Sequence, residues 1–125
     1  MIYLIVNGSL KKNTILFWDE PEVNLNPRYI KIVVKFLQTL AKHGVQIFVA
    51  THDYLLVHLL SLDAEYQTVT QAPPMKFFAL TKEENGTVVE SADTIAGINN
   101  NVLLDEYAAY TDLEHELFRK SMQPV

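Results

Sequence analysis

The 125-residue chain has no cysteine and no excess of positive charge. Without cysteine, neither disulfide bonds nor thiolate metal sites can form, which favours a reducing compartment such as the cytoplasm. Ten Lys and Arg stand against fifteen Asp and Glu, for a formal net charge of −5. The chain therefore lacks the basic surface that nucleic acid requires, and we expect any nucleic-acid contact to come from another part of a larger protein.

Long apolar runs are also absent from the sequence. The opening run "MIYLIV" (1–6) has no basic residues before it and is far shorter than the ~20 residues of a membrane-spanning helix, so we expect neither a signal peptide nor a membrane partner. Hydrophobic residues still make up 49% of the chain. This content can build the core of one small domain, and we predict that residues 1–125 form a single domain.

Residues 14–50 predict a strand, a helix and a second strand. The run "TILFW" (14–18) is apolar throughout, as expected of a strand covered on both faces, so we expect Phe17 and Trp18 in the core. The run "VQIFVA" (45–50) predicts a second strand of similar character. Two strands joined by one helix form a βαβ unit, in which the strands are parallel and the crossover is right-handed.

The connecting helix is predicted from Arg28 to His43. Asn26 can cap its start, and Pro27 suits the first helical position, where its missing N–H costs nothing. Gly44 marks its end. Its apolar residues fall on one helical face, which is formed by Ile30, Val33, Val34, Leu37, Leu40 and Ala41.

Three further elements are predicted after the second strand. The sequence "THD" (51–53) opens an apolar helix, with Asp53 as its expected N-cap. Residues 75–91 predict a β-hairpin that turns at Glu84-Asn85-Gly86. A final amphipathic helix is predicted from Val102 to Met122, with an inner side formed by Leu103, Tyr107, Tyr110, Leu113 and Leu117. The predicted fold class is therefore α/β, with a parallel βαβ core followed by a hairpin and a C-terminal helix.

Both predicted parallel strands end in residues with useful side-chain chemistry. Asp19 and Glu20 follow the first strand, and His52 follows the second. Because the carboxyl ends of parallel strands share one edge of a sheet, we expect these side chains to face a common crevice. Adjacent buried carboxylates need a partner, and a cation is the expected one. Two structural alternatives stay open: the acid pair could cap a turn, and Glu22 could be ordinary surface charge.

Two segments resemble motifs of ABC-type ATPases. "ILFWDEPEVNLNP" (15–27) is similar to the Walker B segment and the following D-loop, in the branch with SMC, RecF-like and OLD-family proteins. "QIFVATHD" (46–53) is similar to the switch-histidine strand of the same family. The two motifs occur in the order and at the spacing that this fold requires, which makes the signal specific. The resemblance covers residues 14–62 and implies a partial P-loop NTPase fold.

The resemblance assigns chemistry to three residues. It implies that Asp19 holds Mg²⁺, usually through water, and that Glu20 polarises or deprotonates the attacking water. It implies that His52 senses the γ-phosphate of ATP by donating a hydrogen bond. Phosphoryl transfer depends mainly on positioning and on charge stabilisation, which are the tasks of such groups.

The resemblance also assigns a contact role to the loop after the acids. Asn24, Leu25 and Asn26 match the D-loop, which in the family crosses a dimer interface. Pro21 fixes the turn after the acids. Glu22 stands where many transporters have a small hydroxyl residue, whereas an acid is usual in the SMC- and RecF-like branch.

Two motifs of the family are missing. None of the four glycines lies in the phosphate-cradling pattern G-x-x-x-x-G-K-[ST], and the Ser-Gly signature is absent. "MIYLIVNGSLKKN" (1–13) predicts the last turns of a helix and resembles the one that follows the signature. The resemblance thus implies the carboxy-terminal half of an ATPase head, inactive alone, which uses Mg²⁺ and ATP only with its missing N-terminal half. A βαβ unit without the rest of its sheet should self-associate.

Two other functions stay open at this stage. The chain could be a non-catalytic module for dimerisation or partner binding. It could also be a metal-dependent nuclease, since two-metal hydrolases need several convergent acids. The metal ligands would then be Asp19, Glu20, Glu22 and His52.

Overall fold

The structure is a computed structural model that describes residues 11–124. The helix predicted at the start of the chain lies in residues 1–13 and so falls almost entirely outside the described range. Two strands, β1 (Ile15–Asp19) and β2 (Gln46–Ala50), form a parallel two-stranded sheet. Their register runs from Ile15 beside Gln46 to Asp19 beside Ala50. The predicted parallel strands are therefore confirmed, and they end level with each other.

Helix α1 (Ile30–Lys42) connects the two strands and follows a 3₁₀ turn at Pro27–Tyr29. The Asn26 side chain accepts a hydrogen bond from the Arg28 amide at 3.1 Å, which confirms Asn26 as the cap of this start. Gly44 lies just beyond the helix end and has a φ of +87°, a conformation that glycine adopts without strain.

The core lies between one face of the β1–β2 sheet and two helices. Helix α2 (Tyr54–Glu65) packs against α1, and Leu56 of α2 is completely buried. The side chain of Trp18 packs against this core and meets Phe36 edge-on, with ring centroids 6.4 Å apart. The buried members of the cluster are Ile30, Val33, Val34, Leu37 and Leu56. The apolar face predicted for α1 is therefore the face that the structure buries.

The other face of the β1–β2 sheet is open. Phe17 is 75% exposed and stacks on Phe48, with ring centroids 4.9 Å apart, and Ile15 is also exposed. The prediction that this strand is covered on both faces, with Phe17 in the core, is therefore wrong for the described part of the chain. Only alternate residues such as Trp18 point to the core, because successive strand residues point to opposite faces.

The second half of the chain is a hairpin between short helical segments. A one-turn helix, α3 (Gln67–Thr70), leads to strands β3 (Phe77–Glu83) and β4 (Gly86–Ala92), which pair antiparallel. Glu83 pairs with Gly86, so the predicted hairpin and its turn are confirmed. The fold class inferred from the sequence, a partial P-loop NTPase fold of the α/β type, agrees with this architecture.

Helix α4 (Val102–Ser121) has the predicted position but not the predicted burial. It contacts α2 near its start, where Tyr107 stacks on Tyr54 with ring centroids 4.3 Å apart. Farther along, Tyr110, Leu113 and Leu117 are exposed. The expected inner side is therefore uncovered over most of its length within residues 11–124, because only its first turns have a neighbouring element.

Some helices of the chain are rich in apolar residues, but none is suited to span a membrane within the part that the structure describes. Within residues 11–124, none combines the length and the apolar content that crossing a bilayer would demand.

Candidate functional site

The loops after β1 and β2 meet at one edge of the parallel sheet. Asp19 and Ala50 are the last paired residues of the ladder. The Glu20 amide then donates to the Ala50 carbonyl at 2.8 Å, which continues the contact one residue past the strand. The two segments that carry the predicted site residues are therefore fixed to each other by backbone hydrogen bonds.

Glu20 and His52 are in direct contact. His52 Nδ1 lies 2.8 Å from Glu20 Oε1, so the imidazole N–H donates to the carboxylate. The side chain of His52 is 80% exposed and that of Glu20 is 36% exposed, so solvent weakens the attraction between them. The structure thus brings together the two side chains that the sequence pattern placed at separate strand ends.

Glu20 has an unusual backbone conformation. Its φ is +47°, in the left-handed region that non-glycine residues seldom occupy, and Asn24 in the same loop has a φ of +64°. Such conformations cost about 1–3 kcal/mol each and concentrate at functional sites. The turn is closed by hydrogen bonds from the Val23 amide to the Glu20 carbonyl and from the Leu25 amide to the Glu22 carbonyl, both 3.1 Å long.

The residues that match the D-loop lie at the surface beside this site. Asn24, Leu25 and Asn26 are all exposed, and Leu25 keeps 39% of its surface free although it is apolar. Asn26 has a structural task as well, because its side chain caps the 3₁₀ turn. The loop is therefore available for contact with another molecule.

A second side-chain contact joins the same two loops. The Thr51 hydroxyl donates to Glu22 Oε1 at 2.6 Å and accepts from the Asp53 amide at 3.0 Å. Asp53 in turn accepts from the Leu56 amide at 2.8 Å, which confirms Asp53 as the N-cap of α2. Sequence reasoning did not assign Thr51 any role. The available signal was a hydroxyl residue directly before the histidine, opposite an acid of uncertain purpose.

Asp19 stands apart from these contacts. It is exposed and, by the alternation along β1, belongs to the same side as Phe17 rather than to the core side. Within residues 11–124, no group of three or more His, Cys, Asp or Glu side chains is arranged to hold a metal ion. A single exposed carboxylate nevertheless suits Mg²⁺, which is often held by one or two carboxylates together with substrate phosphates and water.

The chain is similar to known ATPase sequences over the region that contains this site. Residues 2–58 match the family model described as "AAA domain, putative AbiEii toxin, Type IV TA system". The chain is 32% identical over 89 residues to the glutamine transport ATP-binding protein GlnQ of Geobacillus stearothermophilus, an alignment covering 67% of this chain and 36% of that protein.

Two further relatives are similar to parts of the chain. GlnQ of Bacillus subtilis (strain 168) is 32% identical over 85 residues, which are 64% of this chain and 35% of that protein. The Old nuclease of Escherichia phage P2 is 46% identical over 45 residues, which are 36% of this chain and 8% of the nuclease. The chain spans about a third of the length of the two GlnQ proteins.

These matches confirm the resemblance to ABC- and AAA-type ATPases that the sequence motifs indicated. The chain is therefore similar to ABC- and AAA-type sequences, and it folds as a mixed α/β unit with a parallel pair of strands.

Proposed function

We propose that this chain supplies the Walker B, D-loop and switch-histidine elements of an ATP-hydrolysing ABC/AAA-type head. The observation that carries the proposal is the pairing of Glu20 with His52 at the level ends of two parallel strands. A base for the attacking water and a donor for the γ-phosphate must act at neighbouring atoms, and this pairing puts both groups at one point. The name of GlnQ, an ATP-binding protein, supports the same interpretation.

Glu20 is the general base in this proposal. Its carboxylate accepts a proton from the water that attacks the γ-phosphate, for which it must lie about 2.6–3.2 Å from that water. The side chain is partly exposed, so water reaches it. The left-handed backbone at Glu20 turns the chain sharply after β1 and so aims the carboxylate at His52 rather than along the strand.

His52 is the group that contacts the γ-phosphate. In the structure its Nδ1–H donates to Glu20, which leaves Nε2 for another partner. A phosphate oxygen accepts hydrogen bonds, so His52 must present a protonated nitrogen to it. We interpret the Glu20–His52 pair as the resting arrangement: when nucleotide binds, the imidazole turns to the phosphate and Glu20 is released to the water.

Asp19 would hold Mg²⁺ beside the phosphates. When bound, this ion neutralises charge on the oxygens of the transferred phosphoryl group. The role of Asp19 itself is to place one carboxylate at the end of β1, one residue before the base. This neighbouring position keeps the ion-binding and base functions on one rigid strand end.

The phosphate-cradling loop and the Ser-Gly signature of such a head are not present in residues 1–125. We propose that the described unit acts as the carboxy-terminal half of an ATPase head in the cytoplasm, with residues 1–125 as one domain. The N-terminal half of such a head would supply the phosphate-cradling loop. The exposed D-loop residues Asn24, Leu25 and Asn26 would face a second head, and the isolated chain should self-associate through its open apolar surfaces.

The direct test is a titration of the isolated chain with Mn²⁺-ATP, in which Mn²⁺ replaces Mg²⁺ and broadens nearby NMR signals. We expect weak binding, no turnover, and broadening centred on Asp19, Glu20 and His52. Asp19→Asn should abolish the broadening, whereas Asp105→Asn, at an exposed acid on α4, should leave it unchanged. Broadening that ignores Asp19→Asn would contradict the proposed site. Micromolar affinity or steady hydrolysis would contradict the dependence on a second half.

A metal-dependent nuclease is the second candidate, because the Old nuclease of phage P2 is 46% identical over 45 residues. The geometry gives it less support, since no cluster of three or more ligand side chains exists within the described range. Incubation with DNA and Mn²⁺ decides the point: cleavage that Asp19→Asn abolishes would favour the nuclease over the ATPase. A chain that shows neither activity nor Mn²⁺-ATP binding, yet still associates, would be a non-catalytic interaction module.

A further inference from the structure

We propose that Glu22 and Thr51 form a latch that positions His52 against Glu20. The role of this latch in catalysis rests on the proposed function, but the contacts that form the latch are present without nucleotide. Thr51 and Glu22 are 29 positions apart in the sequence, and the 2.6 Å bond between them ties the loop after β1 to the loop after β2. Both are positioning residues, because neither would touch the reacting atoms.

The latch fixes the chain on both sides of His52. Thr51, the residue before it, is held by Glu22, and Asp53, the residue after it, donates its amide to the same threonine hydroxyl. Asp53 is also bound to the first turn of α2 through the Leu56 amide. The backbone of His52 therefore has little freedom, although its side chain is 80% exposed and, among the residues from 11 to 124, has its one polar contact with Glu20.

The position of Glu22 makes the latch sensitive to the loop that matches the D-loop. Glu22 follows Glu20 by two residues, and its carbonyl accepts from the Leu25 amide at 3.1 Å. Within residues 11–124 its second carboxylate oxygen, Oε2, is buried without a hydrogen-bond partner, so the bond to Thr51 is the one that fixes the carboxylate there. A partner that moves Leu25 would move Glu22, and through Thr51 it would move His52.

The chemistry of the latch predicts which substitutions preserve it. Thr51 is the donor and Glu22 is the acceptor. Glu22→Gln keeps a carbonyl oxygen that can accept, and Thr51→Ser keeps the hydroxyl. Glu22→Ala and Thr51→Val each remove one partner. If Glu22 acted instead as a charge or as a metal ligand, the Gln variant would fail as completely as the Ala variant.

The test uses the isolated chain without nucleotide and measures two quantities by NMR. The first is amide hydrogen exchange at Asp53, whose N–H donates to Thr51. Loss of one ordinary hydrogen bond should speed this exchange about 2- to 10-fold in Thr51→Val. The second is the proximity of the His52 ring to the Glu20 side chain, from their nuclear Overhauser effect. The intensity of this nuclear Overhauser effect should fall in Glu22→Ala and Thr51→Val and should persist in Glu22→Gln and Thr51→Ser.

Two controls separate positioning from general stability. Asp53→Ala removes the cap of α2 but keeps both latch side chains and the Asp53 amide, so it should lower stability and weaken the His52–Glu20 contact less than Glu22→Ala does. Glu84→Ala, at the exposed hairpin turn, should change neither. The proposal is overturned if Glu22→Ala leaves the His52 contact intact, or if Asp53→Ala removes it to the same extent.

The outcome is distinguishable from that of the proposed function. If the latch variants release His52 but Mn²⁺-ATP broadens no signal at Asp19, the latch stands and the ATPase assignment fails. If Mn²⁺-ATP binds at Asp19 while Glu22→Ala leaves the Glu20–His52 contact unchanged, the ATPase assignment stands and the latch fails.

Discussion

The two faces of the β1–β2 sheet are built from similar apolar residues, but one face is covered by helices and the other is exposed. On the core side, Leu16 is buried and Trp18 packs against the α1–α2 cluster. On the open side, Phe17 is 75% exposed, and within residues 11–124 its one stacked aromatic neighbour is Phe48, the residue paired with it across the strands. Hydrophobicity therefore does not distinguish the two faces, whereas the presence of a helix does.

This difference explains where stability and association should reside. The core side contributes to folding, because apolar surface removed from water stabilises the folded state by about 25 cal/mol per Å². The open side contributes little to folding, yet a contiguous exposed apolar surface of this kind is typical of sites that contact another protein. One sheet thus serves the fold on one face and, in our proposal, a partner on the other.

The largest expected effect comes from a cavity on the core side. Leu56 is completely buried among the α1 side chains, so Leu56→Ala should lower the free energy of unfolding by about 2–5 kcal/mol. Urea unfolding measures this change. Phe17→Ala, on the open face, is the matched comparison and should cost far less. Equal losses in the two variants would show that both faces are covered.

A smaller effect is expected where α1 joins β2. Gly44→Ala places a side chain at a φ of +87° and should cost about 1–2 kcal/mol, measured by the same unfolding experiment. The new Cβ would also lie 2.8 Å from the flexible Lys12 side chain. The double variant with Lys12→Ala removes that contact. If the double variant regains full stability, the steric contact rather than backbone strain causes the loss in Gly44→Ala.

A still smaller change in stability is expected on the open face. Phe17→Ser should lower the free energy of unfolding by about 0.5–1 kcal/mol, because the exposed side chain has little burial to lose beyond its stacking on Phe48. It should nevertheless shift sedimentation of the isolated chain towards monomer, because it removes the most exposed aromatic side chain of the sheet. Lys31→Ser, on an exposed position of α1, is the control. A wild-type chain that sediments as a monomer at every concentration would contradict the association.

The smallest effect concerns the hairpin, where the carboxylate of Glu90 binds the loop that follows β4. The Glu90 carboxylate accepts from the Asn99 amide at 2.6 Å and the Asn100 amide at 3.1 Å, and these bonds lower the pKa of Glu90. A pKa lower in the folded than in the unfolded chain stabilises the fold above the unfolded pKa. That contribution is lost as the pH falls through the folded pKa.

Thermal unfolding across the acid range tests this contribution. Between neutral pH and values below the ordinary Glu pKa of about 4.3, wild type should lose more stability than Glu90→Gln. Glu84→Gln, at the hairpin turn, should behave as wild type. Parallel pH profiles for all three chains would rule the contribution out.

Local patterns in the sequence were sufficient for most of the secondary structure. The apolar face of α1, the caps at Asn26 and Asp53 and the hairpin turn were all predicted correctly, because each depends on residues within a few positions of one another. Helix α4 was placed correctly too, but the burial of its inner side was not. The spacing of apolar residues predicts which face of a helix is apolar, but it does not predict which element covers that face.

The candidate site was predicted in part. The sequence by itself determined the chemical groups at the two strand ends, since Asp19, Glu20 and His52 follow apolar runs of strand character. Only the tertiary structure decided that Glu20 contacts His52, that Thr51 binds Glu22, and that one face of the sheet is open. These features join residues about thirty positions apart, and their geometry follows from how the strands pair and where the helices pack.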